Sequence, residues 1–128
     1  MKITINPSDV KKAIRKYYKE VENTNVNIEI STYDEDRFNS STVIITAVKN
    51  ININGLNIAE EEIITNEKLK EIFSYILNGE YEIESLYLSS EYQTEGYFMN
   101  ERTKLNFTSL NMEVIKNKDK VKKLGGQK

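Results

Sequence analysis

The chain has 128 residues, 38% of them apolar and 30% charged, which suits one domain able to bury roughly two-thirds of its unfolded surface. It contains no cysteine and no histidine, so disulfides, thiolate metal centres, imidazole general bases and near-neutral imidazole switches are excluded. The net charge of −2 conceals a segregation: residues 1–23 carry six basic and three acidic side chains, residues 24–101 four and fifteen, and residues 102–128 eight and two.

In chain order, KITIN (2–6) alternates and predicts a short strand. Asn6 then offers an N-cap, Pro7 suits the first helical position and Asp9 puts a carboxylate in the first turn. Val10, Ala13, Ile14, Tyr17 and Val21 recur at helical spacing, so a helix is expected over about 7–22. NVNIEIST (25–32) alternates as a strand, and STVIITAV (41–48), apolar on both sides, reads as a central strand whose second face is also covered, a dimer partner being one candidate cover.

Asn54-Gly55 inside KNININGLNIAE (49–60) is the strongest short hairpin signal, because a type I′ turn needs two residues at positive φ. It pairs Ile53 with Leu56, Ile51 with Ile58 and Lys49 with Glu60 on one face. Leu69, Ile72, Phe73 and Ile76 then predict a second helix over about 66–78, stopped by Asn78-Gly79. The segments 81–92 and 97–107 read as a last hairpin turning at Glu95-Gly96, with Tyr92 opposite Met99, Leu86 opposite Leu105 and Glu84 opposite Phe107. Past Phe107 the apolar phase slips, and a one-residue bulge at Thr108-Ser109 restores it.

These elements predict an α+β fold: a single two-layer domain over 1–116, mainly an antiparallel sheet of five to six strands with two helices packed on one face, in the order β-α-β-β-β-α-β-β. The helices are expected to cover Ile28, Ile30, Val43, Ile45, Ile51 and Leu86. Residues 117–128 form a basic tail almost without apolar side chains, expected to be disordered.

No motif carries a cofactor: the glycines form neither a phosphate loop nor a dinucleotide fingerprint. Asp34-Glu35-Asp36 begins like a cation loop, but Phe38 and Asn39 replace the next ligand and the glycine, so no metal is expected. Glu60, Glu61 and Glu62 with Glu82 or Glu84 could furnish an acid–base pair, although charge on an edge strand explains the run more simply. Lys11, Lys12, Arg15, Lys16 and Lys19 form a basic helix face that, with the tail, suits phosphate contacts. Tyr97, Phe98 and Arg102, near the tip of the last hairpin, make a candidate protein-contact patch of interface-enriched residue types.

Fifteen lysines against three arginines, with fifteen asparagines, match AT-rich coding and suggest a low-GC bacterium or one of its mobile elements. No apolar run approaches the ~18–20 residues of a membrane span. The opening MKITINPSDV lacks the apolar stretch of a secretory leader, so a cytoplasmic chain is expected. The leading expectation is a small non-enzymatic protein that binds a macromolecular partner, as an accessory or inhibitory factor of such an element. The alternative is a nucleic-acid binder using the basic helix and tail, and the third is a carboxylate-dependent enzyme.

Overall fold

The computed structural model describes residues 1–35, 40–95 and 102–117; for residues 33–35, 40–41, 93–95 and 102–104 it describes backbone pairing alone. The fold is α+β, with the expected order: β1 (Lys2–Ile5), α1 (Pro7–Val21), β2 (Asn27–Glu35), β3 (Ser40–Ile53), β4 (Leu56–Ile63), α2 (Asn66–Ile76), β5 (Tyr81–Glu95) and β6 (Arg102–Lys116). Both helices start at the caps their sequences supply. The Asn6 carboxamide accepts from the Asp9 N–H at 2.8 Å, and the Thr65 hydroxyl accepts from the Lys68 N–H at 3.2 Å. Asn78 and Gly79 close α2 at positive φ, where glycine carries no Cβ penalty.

The expected single sheet is instead two three-stranded antiparallel sheets, ordered β1-β6-β5 and β2-β3-β4. Element lengths give the reason. At ~1.5 Å per residue α1 reaches about 22 Å, whereas β3, β5 and β6 reach about 45–50 Å at ~3.3 Å per residue. Helices of this length cannot cover such strands, so part of each inner face needs another cover, and the two sheets supply it to one another. β2 lies against β6 and β3 against β5. Among the described residues no ladder joins β2 to β6; instead the Thr32 hydroxyl donates to the Leu105 carbonyl at 2.7 Å.

Both helices and both sheets meet in one hydrophobic cluster built on Val10, Ile14, Leu69, Ile72, Phe73, Ile45, Leu86, Leu110, Met112 and Val114. Of the strand residues expected under the helices, Ile28, Ile45 and Leu86 are buried, Ile30 and Val43 pack at the margin, and Ile51, half-buried, lies outside the core cluster. On α1 the buried stripe ends in Tyr17 and Tyr18, and Val21 is exposed, so the helix is rotated from the expected face at its last turn. On the second face of β3, Val48 is buried by its own chain beside Asn25, Asn27 and Asn50.

The first long hairpin matches expectation pair for pair: Ile53 faces Leu56, Ile51 faces Ile58 and Lys49 faces Glu60, around Asn54 and Gly55 at φ 53° and 83°. The second hairpin does not. Tyr92 lies opposite Leu105, six residues beyond the expected Met99, and Leu86 lies opposite Met112. This register sets Ile83, Leu86 and Leu88 against Val114, Met112 and Leu110, which the expected one leaves unpartnered. Two bulges hold the apolar phase: Thr108 is the bulged residue between Ser89 and Ser90 pairings, as anticipated, and Glu84 bulges between Ile83 and Ser85.

Candidate functional site: a basic helix face, an acidic strand edge and a tyrosine recess

The candidate phosphate contacts are brought together. Lys12, Arg15, Lys16 and Lys19 are exposed on α1, with Lys11 half-buried beside them. Lys12 sits 4.0 Å from Asp9; among the described residues Arg15, Lys16 and Lys19 have no acidic partner within ion-pair distance. Lys11 turns toward an open groove where the start of α1 meets Ile30, Thr32 and Leu105.

The aromatic contact patch is not assembled by anything described. Tyr97 and Phe98 lie outside the described residues, and Arg102 opens β6 opposite Glu95 with only its backbone described. Tyr92, expected opposite Met99 on the apolar face of the hairpin, sits half exposed on the inner face of β5 opposite Leu105. The acidic residues proposed for an acid–base pair are apart in the topology: Glu60, Glu61 and Glu62 are on β4, and Glu82 and Glu84 on β5 of the other sheet. Asp34 and Glu35 are described as backbone alone and Asp36 lies outside the described residues. Among the described residues no three acidic side chains are grouped to hold a metal ion.

The more unusual surface is β4. It is the edge of its sheet, and all eight of its residues are exposed. At its turn end Leu56 is 66% and Ile53 49% exposed, and Ile58 is 39% exposed beside them. These three share the inner face of the sheet with Ile45 and Ala47, which are buried. The hairpin has outrun the end of α1, and apolar side chains on a core-facing register stand with no core to enter. At the other end Glu60, Glu61 and Glu62 crowd the same strand; among the described residues Glu60 alone of the three is in an ion pair, with Lys49 at 3.5 Å.

Between the last turn of α1 and this hairpin lies a recess of about 40 Å³, lined by Tyr18, Glu22, Thr24, Lys49, Glu60 and Glu62. Tyr18 is 3% exposed, and its hydroxyl is buried without a hydrogen-bond partner. A buried polar group in that state costs free energy, so it marks the recess. Burial first, then the Glu62 and Glu22 charges, push this hydroxyl far above the ordinary tyrosine value of 10.0. Glu62 adds a weaker hydrogen-bonding pull on the hydroxyl proton, although the two groups do not meet in full hydrogen-bond geometry.

Behind the recess Lys68 ties the two helices together. Its ammonium lies 3.6 Å from Glu22 and 3.8 Å from Glu71, donates to the Tyr17 hydroxyl at 3.5 Å, and stands 5.0 Å from the Tyr17 ring centroid. Tyr17 in turn donates to Glu71 at 3.0 Å. Burial works against the Lys68 charge, but the Tyr17, Glu22 and Glu71 contacts outweigh it and hold its pKa above the ordinary value. Burial and the Glu71 hydrogen bond raise Tyr17. This cluster is fully partnered and reads as a structural clamp; the recess beside it is not.

Sequence reasoning missed the recess. Tyr18 continues the i, i+4, i+8 stripe of Val10 and Ile14 and could have been read as buried, but nothing local says that Glu22 and Glu62 converge on it. The bare tip was in principle visible, since a 15-residue helix roofs only about seven residues of a 14-residue strand. No helix among the described residues is long and apolar enough to cross a membrane. Compared with known protein families, with curated proteins and with solved structures, the chain matches none.

Proposed function

We propose that the chain is a small non-enzymatic binding protein whose β4 edge takes an extended segment of a protein partner as an added strand. The observation that carries this is the exposure of all eight β4 residues, with Ile53, Leu56 and Ile58 bare on the inner face. In a two-residue hairpin the residues flanking the turn exchange backbone bonds, and the pattern alternates from there. Asn57, Ala59 and Glu61 therefore turn their N–H and C=O groups outward to the free edge. Exposed edges invite pairing, and the glutamates decide with what: a second β4 would bring two runs of three carboxylates together, whereas a basic strand is attracted. The partner segment fitted to this edge has apolar residues beside Leu56 and Ile58, then lysine or arginine beside Glu60 and Glu62. On this reading the lysine-rich, arginine-poor chain works in a low-GC bacterial cytoplasm as an accessory or inhibitory factor of a mobile element.

Selection of extended peptides from a random library against the full chain tests the proposal. Binders should carry the apolar-then-basic pattern and should be lost on Ala59→Pro, which removes an outward N–H and leaves the β3 ladder intact. Binders indifferent to Ala59→Pro in a variant that keeps its fold would overturn it.

A second reading has its own observation: Arg15, Lys16 and Lys19 are exposed on one helix face without acidic partners among the described residues. A nucleic-acid binder using α1 and the C-terminal tail predicts affinity that falls steeply with salt and with Arg15→Glu, while Ala59→Pro leaves it unchanged.

A further inference from the structure

The recess under the hairpin has a chemistry of its own. Tyr18 closes its floor with a hydroxyl that no described group satisfies. Three carboxylates, Glu22, Glu60 and Glu62, line it against one ammonium, Lys49. Two of the three are already engaged, Glu60 by Lys49 at 3.5 Å and Glu22 by Lys68 at 3.6 Å; among the described residues Glu62 has no ion-pair partner. The recess thus combines one surplus negative charge, one unused hydroxyl and the Thr24 hydroxyl, whose own proton goes to the Glu22 carbonyl at 2.9 Å and whose lone pairs remain. Apart from the Tyr18 O–H proton, every unfilled position is an acceptor.

We infer that this recess receives the ε-ammonium of a lysine on the partner strand, with Glu62, the Tyr18 hydroxyl and Thr24 as its three acceptors. The inference rests on the strand-addition reading for the source of the lysine, and on the recess alone for the chemistry. An ammonium is the size of a water molecule and fits a recess of about 40 Å³. It carries three donors and no acceptor, the complement of the free Glu62 carboxylate and the hydroxyl lone pairs on the wall. A metal ion is the poorer match, since the three carboxylates that line the recess do not approach one another closely enough to share one. Glu60 and Glu62 point to the same face of β4, the edge strand, so a lysine on the adjacent added strand has the reach of one strand spacing, ~4.8 Å, to cross. The lysine would thereby fix the register of the added strand, which backbone pairing alone leaves free to slip.

The test is a titration of the isotope-labelled full chain, followed by amide NMR, with Nα-acetyl-lysine methylamide as the probe. Its Nε-acetylated form, the arginine analogue and matched sodium chloride are the controls. The expected result is saturable shifts at Thr24, Ala47 and Glu62, with a dissociation constant on the order of millimolar, absent with the Nε-acetylated probe. Glu62→Gln should weaken the probe roughly tenfold and Tyr18→Phe about fivefold, both with the remaining spectrum unchanged. Shifts of equal size with salt or with the acetylated probe would overturn the inference, as would recess resonances that no amine moves, the outcome if an ordered water alone satisfies Tyr18. Equal affinity for the arginine analogue would overturn the assignment to lysine. Peptides selected on the β4 edge that bind while the lysine probe does not would retire the ammonium site and leave strand addition standing. A probe that binds the recess while no peptide is lost on Ala59→Pro would do the reverse.

Discussion

Ile45 and Ile53 stand on the same face of the same strand, yet one is buried in the core and the other is half exposed. Neither residue type nor alternation separates them. What separates them is that Ile45 joins the cluster formed with both helices and the second sheet, whereas Ile53 lies outside it. At the other end of the long strands the same shortfall is met by the second sheet, where β2 and β3 lie against β6 and β5. At the β3–β4 tip nothing described meets it. The contrast shows that an amphipathic strand states which face seeks cover without stating that cover exists, and that the uncovered end is where a partner gains most by binding.

The sharpest way to break this comparison is truncation at both positions. Ile45→Ala should cost about 3 kcal/mol in denaturant unfolding, as a fully enclosed side chain does, and Ile53→Ala under about 1 kcal/mol. Similar losses at the two sites would mean the tip is covered in solution, by a second copy or otherwise, and a concentration-dependent midpoint would identify the former.

Tyr18→Phe sharpens the comparison from the recess side. Removing a buried hydroxyl with no partner should raise stability by about 1 kcal/mol, against the usual direction for a core substitution. A loss of stability would show that the hydroxyl is satisfied in solution. The same tyrosine shapes the alkaline limb. Tyr17, Tyr18 and Lys68 all have folded-state values raised above their ordinary 10.0 and 10.5. A raised group contributes stability that is fully present below its unfolded value and lost as pH rises through its folded one. Unfolding free energy should therefore show no contribution from these groups to its slope near neutrality and should fall above pH 10, less steeply in Tyr18→Phe. A smaller effect is expected at the exposed Lys49–Glu60 pair, where a double-mutant cycle should give about 0.5 kcal/mol or less, diminishing with salt.

What the sequence could and could not convey follows the range of each interaction. The Asn6 cap, the Asn54-Gly55 turn with all three of its cross-strand pairs, and the Thr108 bulge were legible because each is settled within a few residues. The register of the last hairpin was misread because Gly96 offered a local turn signal, whereas the actual register is set by Leu110, Met112 and Val114 meeting Leu88, Leu86 and Ile83. The Glu84 bulge was overlooked although the step from Ile83 to Leu86 breaks alternation just as Phe107 to Leu110 does. The division into two sheets depends on comparing helix length with strand length across the whole chain. Of the candidate site, the three glutamates were visible, but their company was not: Tyr18, Glu22 and Glu62 are brought together from a helix end and a strand 40 or more residues away.

The most direct test of the central claim is amide hydrogen exchange on the full chain, free and with a selected peptide bound. In the free protein the amides of Ile58 and Glu60, which face β3, should be protected, and those of Asn57, Ala59 and Glu61 should exchange rapidly. On binding, protection should appear at Asn57, Ala59 and Glu61 and leave α1 unchanged. Protection that appears along Arg15, Lys16 and Lys19 instead, with the β4 edge still exchanging freely, would contradict the account and move binding to the basic helix.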